Sequence, residues 1–230
     1  MGVPAPRRAA PAHQPGRPIE PSRASRPSRP SRPSQAELAA AYGCAIPDVI
    51  APDLAVLFCG INPGLWSAAV GRHFARPGNR FWPALHRGGF TPELIDSTAQ
   101  DTLPALGLGI TNVVARGTAR ADELTRDELI EGGALLRAKV VRFRPAYLAV
   151  LGIGAYRAAF GDRSAVVGPQ PEPVGRTRVW VLPNPSGLNA HYTPDRLAAE
   201  FEKLRAAAAT GARAKQPHED AAASADGVSR

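Results

Sequence analysis

Short apolar runs alternate with longer segments of helical periodicity through the middle of the chain. Four runs have the length and composition of strands buried on both faces, and they occupy residues 54–59, 109–114, 147–151 and 178–182. Helical patterns occupy residues 35–42, 79–87, 98–106, 125–143, 155–160 and 193–208, the third with an internal Pro104. This alternation predicts a single α/β domain with a short, mainly parallel central sheet flanked by helices.

Residues 67–77, between the first strand and the helix at 79–87, are predicted as an irregular loop. Loops of this length inside a compact domain tend to carry function. Phe74 lies in this polar stretch. Two roles are open for its ring: the ring stacks on a flat ligand, or it fills the core beneath its own loop.

Two of the predicted strands run directly into Asn-Pro turns, which contain Asn62 and Asn184. Loops at the carboxyl ends of parallel strands share one crevice, so the two turns can face each other across a ligand. An amide held there can orient a water molecule or the edge of a substrate, although a plain turn also accounts for the pattern. Leu188 follows the second turn, where it is either an ordinary exposed apolar residue or a wedge that enters a DNA duplex.

The net charge of +8 is concentrated at one end of the chain. Residues 1–34 hold seven Arg and one Glu, which leaves a charge of about +2 for the remainder. This Pro- and Ser-rich segment is predicted to be a disordered basic arm, followed by a folded domain at 35–209 and a disordered tail at 210–230. The arm is interpreted either as a non-specific anchor to DNA or as a solvated linker.

Composition argues against several other classes of protein. Cys44 and Cys59 are too few for a zinc or iron–sulfur site, and no histidines have metal-ligand spacing, so we expect neither metal nor cofactor. The Gly152-Ile153-Gly154 turn lacks the remainder of a dinucleotide fingerprint. No apolar run has the length of a membrane span, and none follows Arg7-Arg8 as an export signal requires. We therefore expect a soluble protein of the cytoplasm, and we further expect it to be a monomer associated with the nucleoid.

Five motifs in order resemble the mismatch-specific uracil-DNA glycosylase and thymine-DNA glycosylase family. They are INPG at 61–64, the Phe74 loop, PGNRFW at 77–82, GITN at 109–112 and PNPSGLN at 183–189. The resemblance covers residues 45–207. It implies a uracil-DNA glycosylase-like fold and a monofunctional enzyme of base excision repair that acts on double-stranded DNA. The implied substrate is uracil mispaired with guanine, with thymine and ethenocytosine as further candidates.

The resemblance also implies roles for individual residues. Asn62 corresponds to the residue that positions the attacking water, and Phe74 to the aromatic residue that stacks on the flipped base. Ile61, Gly64 and Asn79 correspond to further residues of the base pocket. The loop that enters the duplex and contacts the orphaned guanine corresponds to Asn184, Ser186, Gly187, Leu188 and Asn189, with Leu188 as the wedge.

The chain departs from the best-known bacterial members of this family at two places. Ala190 and His191 follow Asn189, where those members have a small polar residue and an Arg, and Asn112 stands where some members have Lys. The rival hypotheses are a glycosylase of the same fold for another deaminated base, and a non-catalytic module that binds mismatched DNA.

Overall fold

A five-stranded sheet runs through the centre of the computed structural model, which describes residues 2, 32–187 and 189–213. The strands are β1 (Val56–Gly60), β2 (Leu108–Asn112), β3 (Tyr147–Leu151), β4 (Gly168–Pro169) and β5 (Arg178–Leu182). Their order in the sheet is β2-β1-β3-β5-β4, and only the short edge strand β4 is antiparallel to its neighbour. The predicted α/β fold with a mainly parallel sheet is confirmed.

Six α-helices and two 3₁₀ helices connect and cover the strands in the described part of the chain. They are α1 (Gln35–Ala40), α2 (Leu65–Val70), α3 (Phe81–Arg87), α4 (Arg126–Phe143), α5 (Ile153–Phe160), α6 (Pro194–Arg213) and the 3₁₀ helices Ser97–Leu106 and Ala121–Glu123. The helix predicted near 98–106 is therefore of the 3₁₀ type. Pro104 lies inside it and has no N–H to donate to an α-helical ladder.

Alternate residues of each strand face two separate hydrophobic cores. On one face Phe58 of β1 packs against Phe81 of α3 and Phe201 of α6, with ring centroids 5.5 and 5.7 Å apart. On the other face Leu57 and Val150 pack beneath α4 and α5. Burial on both faces explains why the strands are continuously apolar. It also means that packing on both sides fixes the strand ends at which the next loops begin.

The carboxyl ends of the parallel strands form a crevice on one edge of the sheet. Gly60 of β1 is in register with Asn112 of β2, and Leu151 of β3 with Leu182 of β5. Because the chain passes from β1 to β2 on one side and β3 lies on the other, the connections diverge here, as they do at the ligand sites of open α/β sheets.

The structure corrects one predicted loop and several predicted ends, such as those of the helix at 35–42, the helix at 79–87 and the strand at 109–114. Helix α2 lies partly within the segment predicted as irregular. It has only six residues, and its N-cap, Gly64, has no side chain to cap it, so it leaves no periodic pattern. Ser34, assigned to the arm, is the N-cap of α1 in a capping box with Glu37. Helix α6 continues to Arg213 because residues 206–209 are all Ala, the best helix former.

Several predictions fall outside the described residues. These are the arm apart from Gly2 and residues 32–34, the tail beyond Arg213, and the wedge Leu188. Among the helices that the structure describes, none combines the length and the hydropathy that crossing a membrane requires.

Candidate functional site

A pocket of about 160 Å³ opens at the carboxyl edge of the sheet. Its walls come from the ends of β1, β2 and β3 and from the loops that follow β1, β2 and β5. Seven of the residues predicted for the site line it: Ile61, Asn62, Gly64, Phe74, Asn79, Asn184 and Ser186. The two Asn-Pro turns therefore meet at one cavity, as the shared edge of their strands predicts.

The side chain of Asn62 is held in a single orientation by two acceptors. Its Nδ2 donates to the carbonyl oxygen of Arg116 at 2.9 Å and to Oγ1 of Thr118 at 2.7 Å. The Thr118 hydroxyl in turn donates its own hydrogen to the carbonyl oxygen of Arg120, so it accepts from Asn62. Both partners are acceptors, which fixes the nitrogen against them and leaves Oδ1 as the group that a water molecule can donate to.

The segment that holds Asn62 is itself fixed to α4. Arg116 forms a hydrogen-bonded ion pair with Glu128, at 2.7 Å between Nε and Oε1. Glu128 also accepts from the backbone N–H of Thr125 in the capping box of α4. The Arg116 guanidinium and this N–H lower the pKa of Glu128 to about 2, so the pair is intact at neutral pH.

Phe74 lies between the aromatic core and the pocket. Its ring stacks on Phe81 with centroids 4.2 Å apart, and the residue has a left-handed backbone with φ of 52°. One ring face is thus covered by Phe81, and the ring also lines the pocket. The two interpretations of Phe74 are compatible, because the ring both packs on the core and lines the pocket.

Asn112, at the end of β2, presents a second oriented amide. The neighbouring His73 is buried and its Nε2 lies 3.0 Å from the carbonyl oxygen of Pro47, which can only accept. The proton therefore sits on Nε2, and Nδ1 accepts from Nδ2 of Asn112 at 3.4 Å. Burial lowers the pKa of His73, which keeps the ring neutral at neutral pH.

Gly60 gives the Asn112 amide and the Phe74 ring room to approach each other. A Cβ at this position would lie 2.4 Å from Oδ1 of Asn112 and 3.2 Å from Cζ of Phe74. Any larger residue would displace the amide or the ring. Glycine at the end of β1 is therefore a requirement of the pocket's geometry.

The described lining of the pocket carries little charge. None of its lining residues in the described part of the chain is Asp or Glu, and its only fully charged lining residue is Arg76. The side chains that reach the cavity are mainly amides, hydroxyls and apolar groups. Such a site can orient water and form hydrogen bonds to a ligand, but its described lining offers no carboxylate to act as a general base.

The loop after β5 is folded by its own asparagines. Oδ1 of Asn184 accepts from the backbone N–H of Ser186 at 2.9 Å, and Oδ1 of Asn189 accepts from that of His191 at 3.1 Å. Nδ2 of Asn189 donates to the carbonyl oxygen of Asn184 at 3.0 Å. The polar atoms of Asn189 are thus used within the loop, whereas Gly187 lines a neighbouring cavity of about 240 Å³.

Arg80, the N-cap of α3, fastens this loop to the rest of the domain. Its Nη1 donates to the carbonyl oxygen of Tyr192 at 2.5 Å, and its Nη2 donates to those of Ser186 at 2.5 Å and Asn189 at 2.9 Å. Its backbone N–H donates to the carbonyl oxygen of Pro185 at 2.9 Å. One guanidinium therefore determines the shape of the loop on both sides of position 188.

Asn79, predicted for the base pocket, has a further role at the beginning of α3. Its Oδ1 accepts from the backbone N–H of Phe81 at 2.9 Å.

Ala190 and His191, the two residues after Asn189 that differ from the best-known bacterial members, are both exposed. No group of three or more His, Cys, Asp or Glu side chains that could hold a metal ion occurs in the part of the chain that the structure describes.

The sequence pattern alone assigns no role to Thr118, His73, Arg76 or Arg80, and it leaves the role of Asn112 open. Thr118 and His73 act through contacts with residues far away in the sequence, which no local pattern reveals. Arg80 offers one signal: a cation at the N-cap of a helix is disfavoured by the helix dipole, so a tertiary role could have been suspected.

Comparison with known proteins identifies the family of this pocket. The model of the uracil DNA glycosylase superfamily matches residues 47–208. One similar solved structure is a solution NMR structure from Methanosarcina acetivorans, provisionally named a uracil DNA glycosylase. It is 17% identical, with a TM-score of 0.47, and the match covers 71% of this chain and 98% of that one.

Proposed function

Because the chain belongs to the uracil DNA glycosylase superfamily, we propose that it hydrolyses the N-glycosidic bond of uracil mispaired with guanine. It would act in base excision repair as a monofunctional enzyme on double-stranded DNA, with thymine and ethenocytosine opposite guanine as further substrates to test. The observation that carries the proposal is the pair of oriented amides, Asn62 and Asn112, in a pocket whose described lining contains no carboxylate.

Asn62 would position the attacking water. An amide does not take up a proton at neutral pH, so it cannot act as a general base. With Nδ2 bound to Arg116 and Thr118, Oδ1 remains to accept a hydrogen bond from water. The chemistry must then depend on a good leaving group, which favours uracil over bases richer in electrons. Backbone N–H groups of the turn at 61–64 would stabilise the charge that develops on the base.

Asn112 and Phe74 would recognise the base itself. Uracil presents an N–H donor at N3 beside carbonyl acceptors, which complements an amide oxygen with an N–H group next to it. Cytosine presents an acceptor at N3 and an amino group, the opposite pattern. Because neutral His73 accepts from Nδ2 of Asn112, Oδ1 is left for the N3–H of uracil. Phe74 would stack on the base with the ring face that Phe81 leaves uncovered.

The loop at 184–189 would give access to the base. A base within a duplex must be flipped out of the stack, and a mismatch lowers the cost of doing so. We propose that Leu188 fills the gap while the loop contacts the orphaned guanine, which is consistent with the attachment of the loop to Arg80. Ala190 and His191 stand where the best-known bacterial members have a small polar residue and the Arg beside the wedge, so the ratio of G:U to A:U excision is the quantity that tests the preference for guanine. The enzyme would act as a monomer in the cytoplasm, at the nucleoid.

The first test is single-turnover excision from duplexes that differ only in the target pair. The set comprises G:U, A:U, G:T, guanine opposite ethenocytosine, and single-stranded uracil, with alkali cleavage of the abasic product as the readout. We expect fastest excision at G:U. Equal rates at G:U and A:U would support uracil excision as the activity but contradict the proposed preference for guanine as the opposite base. No excision of any base would contradict the proposed activity.

The second test is the substitution Asn62→Ala. We expect excision to fall at least 100-fold, because orientation of a reacting water contributes on the order of 10² or more to a rate. Binding to a duplex with an abasic-site analogue opposite guanine should remain within about twofold of the wild-type value. Thr118→Ser is the matched control, since it keeps the hydroxyl that holds Asn62. Normal excision by the Asn62→Ala variant would exclude this mechanism.

A further inference from the structure

A larger apolar groove of about 540 Å³ lies directly beside the base pocket. The two cavities share Gly64, Arg76 and Ala119 in their walls. The other residues that line the groove are Arg32, Leu38, Leu65, Trp66 and Pro77. The groove is therefore continuous with the pocket, and its charged lining residues in the described part of the chain are two arginines.

Trp66 forms the aromatic wall of this groove. It is partly exposed, in contrast to Trp82 and Trp180, which are buried in the core. The guanidinium of Arg32 lies over its ring, 6.0 Å from the ring centroid. An aromatic surface with a cation beside it suits both a nucleoside and the phosphate attached to it.

Arg76 lies where three cavities meet. It lines the base pocket, the Trp66 groove and the smaller cavity that Gly187 lines. Its exposed guanidinium makes no hydrogen bond or ion pair with any residue that the structure describes. A cation that is not neutralised by the protein, at the rim of a pocket for a flipped nucleotide, is in position to contact a phosphate of the same strand.

We propose that the Trp66 groove binds the nucleotide next to the flipped one on the lesion strand. Trp66 contacts its nucleoside, Arg76 binds the phosphate between the two nucleotides, and Arg32 strengthens the positive potential. Flipping removes a stacking partner from the neighbouring nucleotide, and Trp66 supplies an aromatic surface in its place. The absence of acidic residues from the described lining favours a nucleic acid over a basic protein segment as the occupant. This inference rests on the proposed function.

The test measures binding of the full chain to a duplex with a tetrahydrofuran abasic analogue opposite guanine, so that no excision is needed. We expect Trp66→Leu to weaken binding about tenfold, the effect of losing one stacked base, and Trp66→Phe to weaken it less. We expect Arg76→Gln to weaken binding about fivefold and to reduce the slope of log K against log salt by about one. Arg163→Gln is the matched control: this exposed arginine follows α5, away from the pocket.

Substrate modification separates a direct contact from a structural effect. A neutral methylphosphonate is placed at each phosphate flanking the abasic analogue in turn, and a second series lacks the nucleotide on one side. At one phosphate, we expect the modification to weaken binding by the wild-type protein but not by the Arg76→Gln variant. Likewise, loss of the neighbouring nucleotide on that side should not weaken binding by the Trp66→Leu variant. Quenching of the partly exposed Trp66 by bound DNA gives an independent signal that is absent from Trp66→Phe.

Additive effects at both phosphates, or wild-type binding by both variants, would overturn the groove assignment. If the wild-type protein excises uracil but neither substitution changes the effect of the substrate modifications, the proposed function stays intact and this inference is refuted. If the substitutions do abolish the effect of the modifications but no base is excised, the groove is still a nucleotide subsite and the proposed chemistry is refuted.

Discussion

An asparagine can select a base only if its side-chain amide cannot rotate by 180° and exchange Oδ1 with Nδ2. The two atoms are similar in size, but the oxygen accepts hydrogen bonds and the nitrogen donates them. At Asn112 the orientation depends on the protonation state of His73. The carbonyl oxygen of Pro47 keeps the proton on Nε2, and the free lone pair on Nδ1 faces the amide nitrogen of Asn112. A protonated His73 would donate from both nitrogens and would turn the amide oxygen of Asn112 toward itself.

This arrangement predicts an acid limit on uracil excision. Burial lowers the pKa of His73 from 6.5, so excision should remain constant as the pH falls past 6.5 and decline only through the lowered pKa. The measurement is the single-turnover rate on G:U duplexes from neutral to acid pH, with circular dichroism to check that the protein is folded. The slower variant Asn112→Ala should lack this decline, since it has no amide to invert. The same acid limb in both proteins would contradict the role of His73.

At the level of elements, the loop after β5 depends on the helix that follows the Phe74 loop. Three carbonyl oxygens around position 188 converge on the guanidinium of Arg80 at the N-terminus of α3. Gly187 also packs closely on this turn, because a Cβ there would lie 2.6 Å from the carbonyl oxygen of Gly78. The loop that is proposed to enter DNA is thereby linked to the turn that carries Arg76.

Arg80→Lys tests this linkage while retaining the charge. A lysine ammonium cannot reproduce the planar fork that reaches Ser186, Asn189 and Tyr192, and each lost charge-assisted hydrogen bond is worth about 1.5–3 kcal/mol. We expect the affinity for the abasic duplex to fall at least tenfold and the ratio of G:U to A:U excision to decrease. Arg87→Lys, at the other end of α3, is the control, because its ion pair with Asp195 is exposed. Equal effects of the two substitutions would contradict a specific role for Arg80.

The elements and the site differ in how far the sequence predicts them. The parallel strands β1, β2, β3 and β5 are largely buried on both faces, so their apolar runs could be recognised from sequence alone, as could the Asn-Pro turns that follow β1 and β5. These two patterns are sufficient to predict that Asn62 and Asn184 lie at the same edge of the sheet. Helix α2 could not be recognised, because six residues after Gly64 carry neither a cap nor a period. The partners that orient the amides, Thr118 and His73, were also missed, since pairing over long sequence separations follows from the fold and not from local pattern.

For the whole molecule, the distribution of charge assigns attraction to DNA and recognition of the lesion to different parts of the chain. Residues 1–34 hold seven of the arginines and a net charge of +6, which leaves about +2 for the other residues. Arg76 is the only lysine or arginine that lines the base pocket in the described structure. We infer that the arm contributes affinity that is independent of sequence, whereas the pocket and its loop determine which base is removed.

Deletion of residues 1–31 tests the role of the arm. The deletion ends before Arg32, which lies over Trp66, and before Ser34, which caps α1. It removes six arginines and Glu20. Each phosphate contact that is lost should reduce the slope of log K against log salt by about 0.9, and affinity should fall by the same factor for matched and mismatched duplexes. The measurement is the Kd of both duplexes over a range of salt concentrations.

A full-length protein with those six arginines replaced by Ser separates charge from chain length. It should bind like the deleted protein, because the proposed contacts are electrostatic and the length of the arm is retained. Single-turnover excision at saturating protein should be unchanged in both, since neither lacks a residue of the pocket. A salt slope equal to that of the wild type would identify the arm as a linker, and the positive charge that attracts DNA would then lie on the folded domain, whose arginines include Arg76 and Arg32 beside the Trp66 groove.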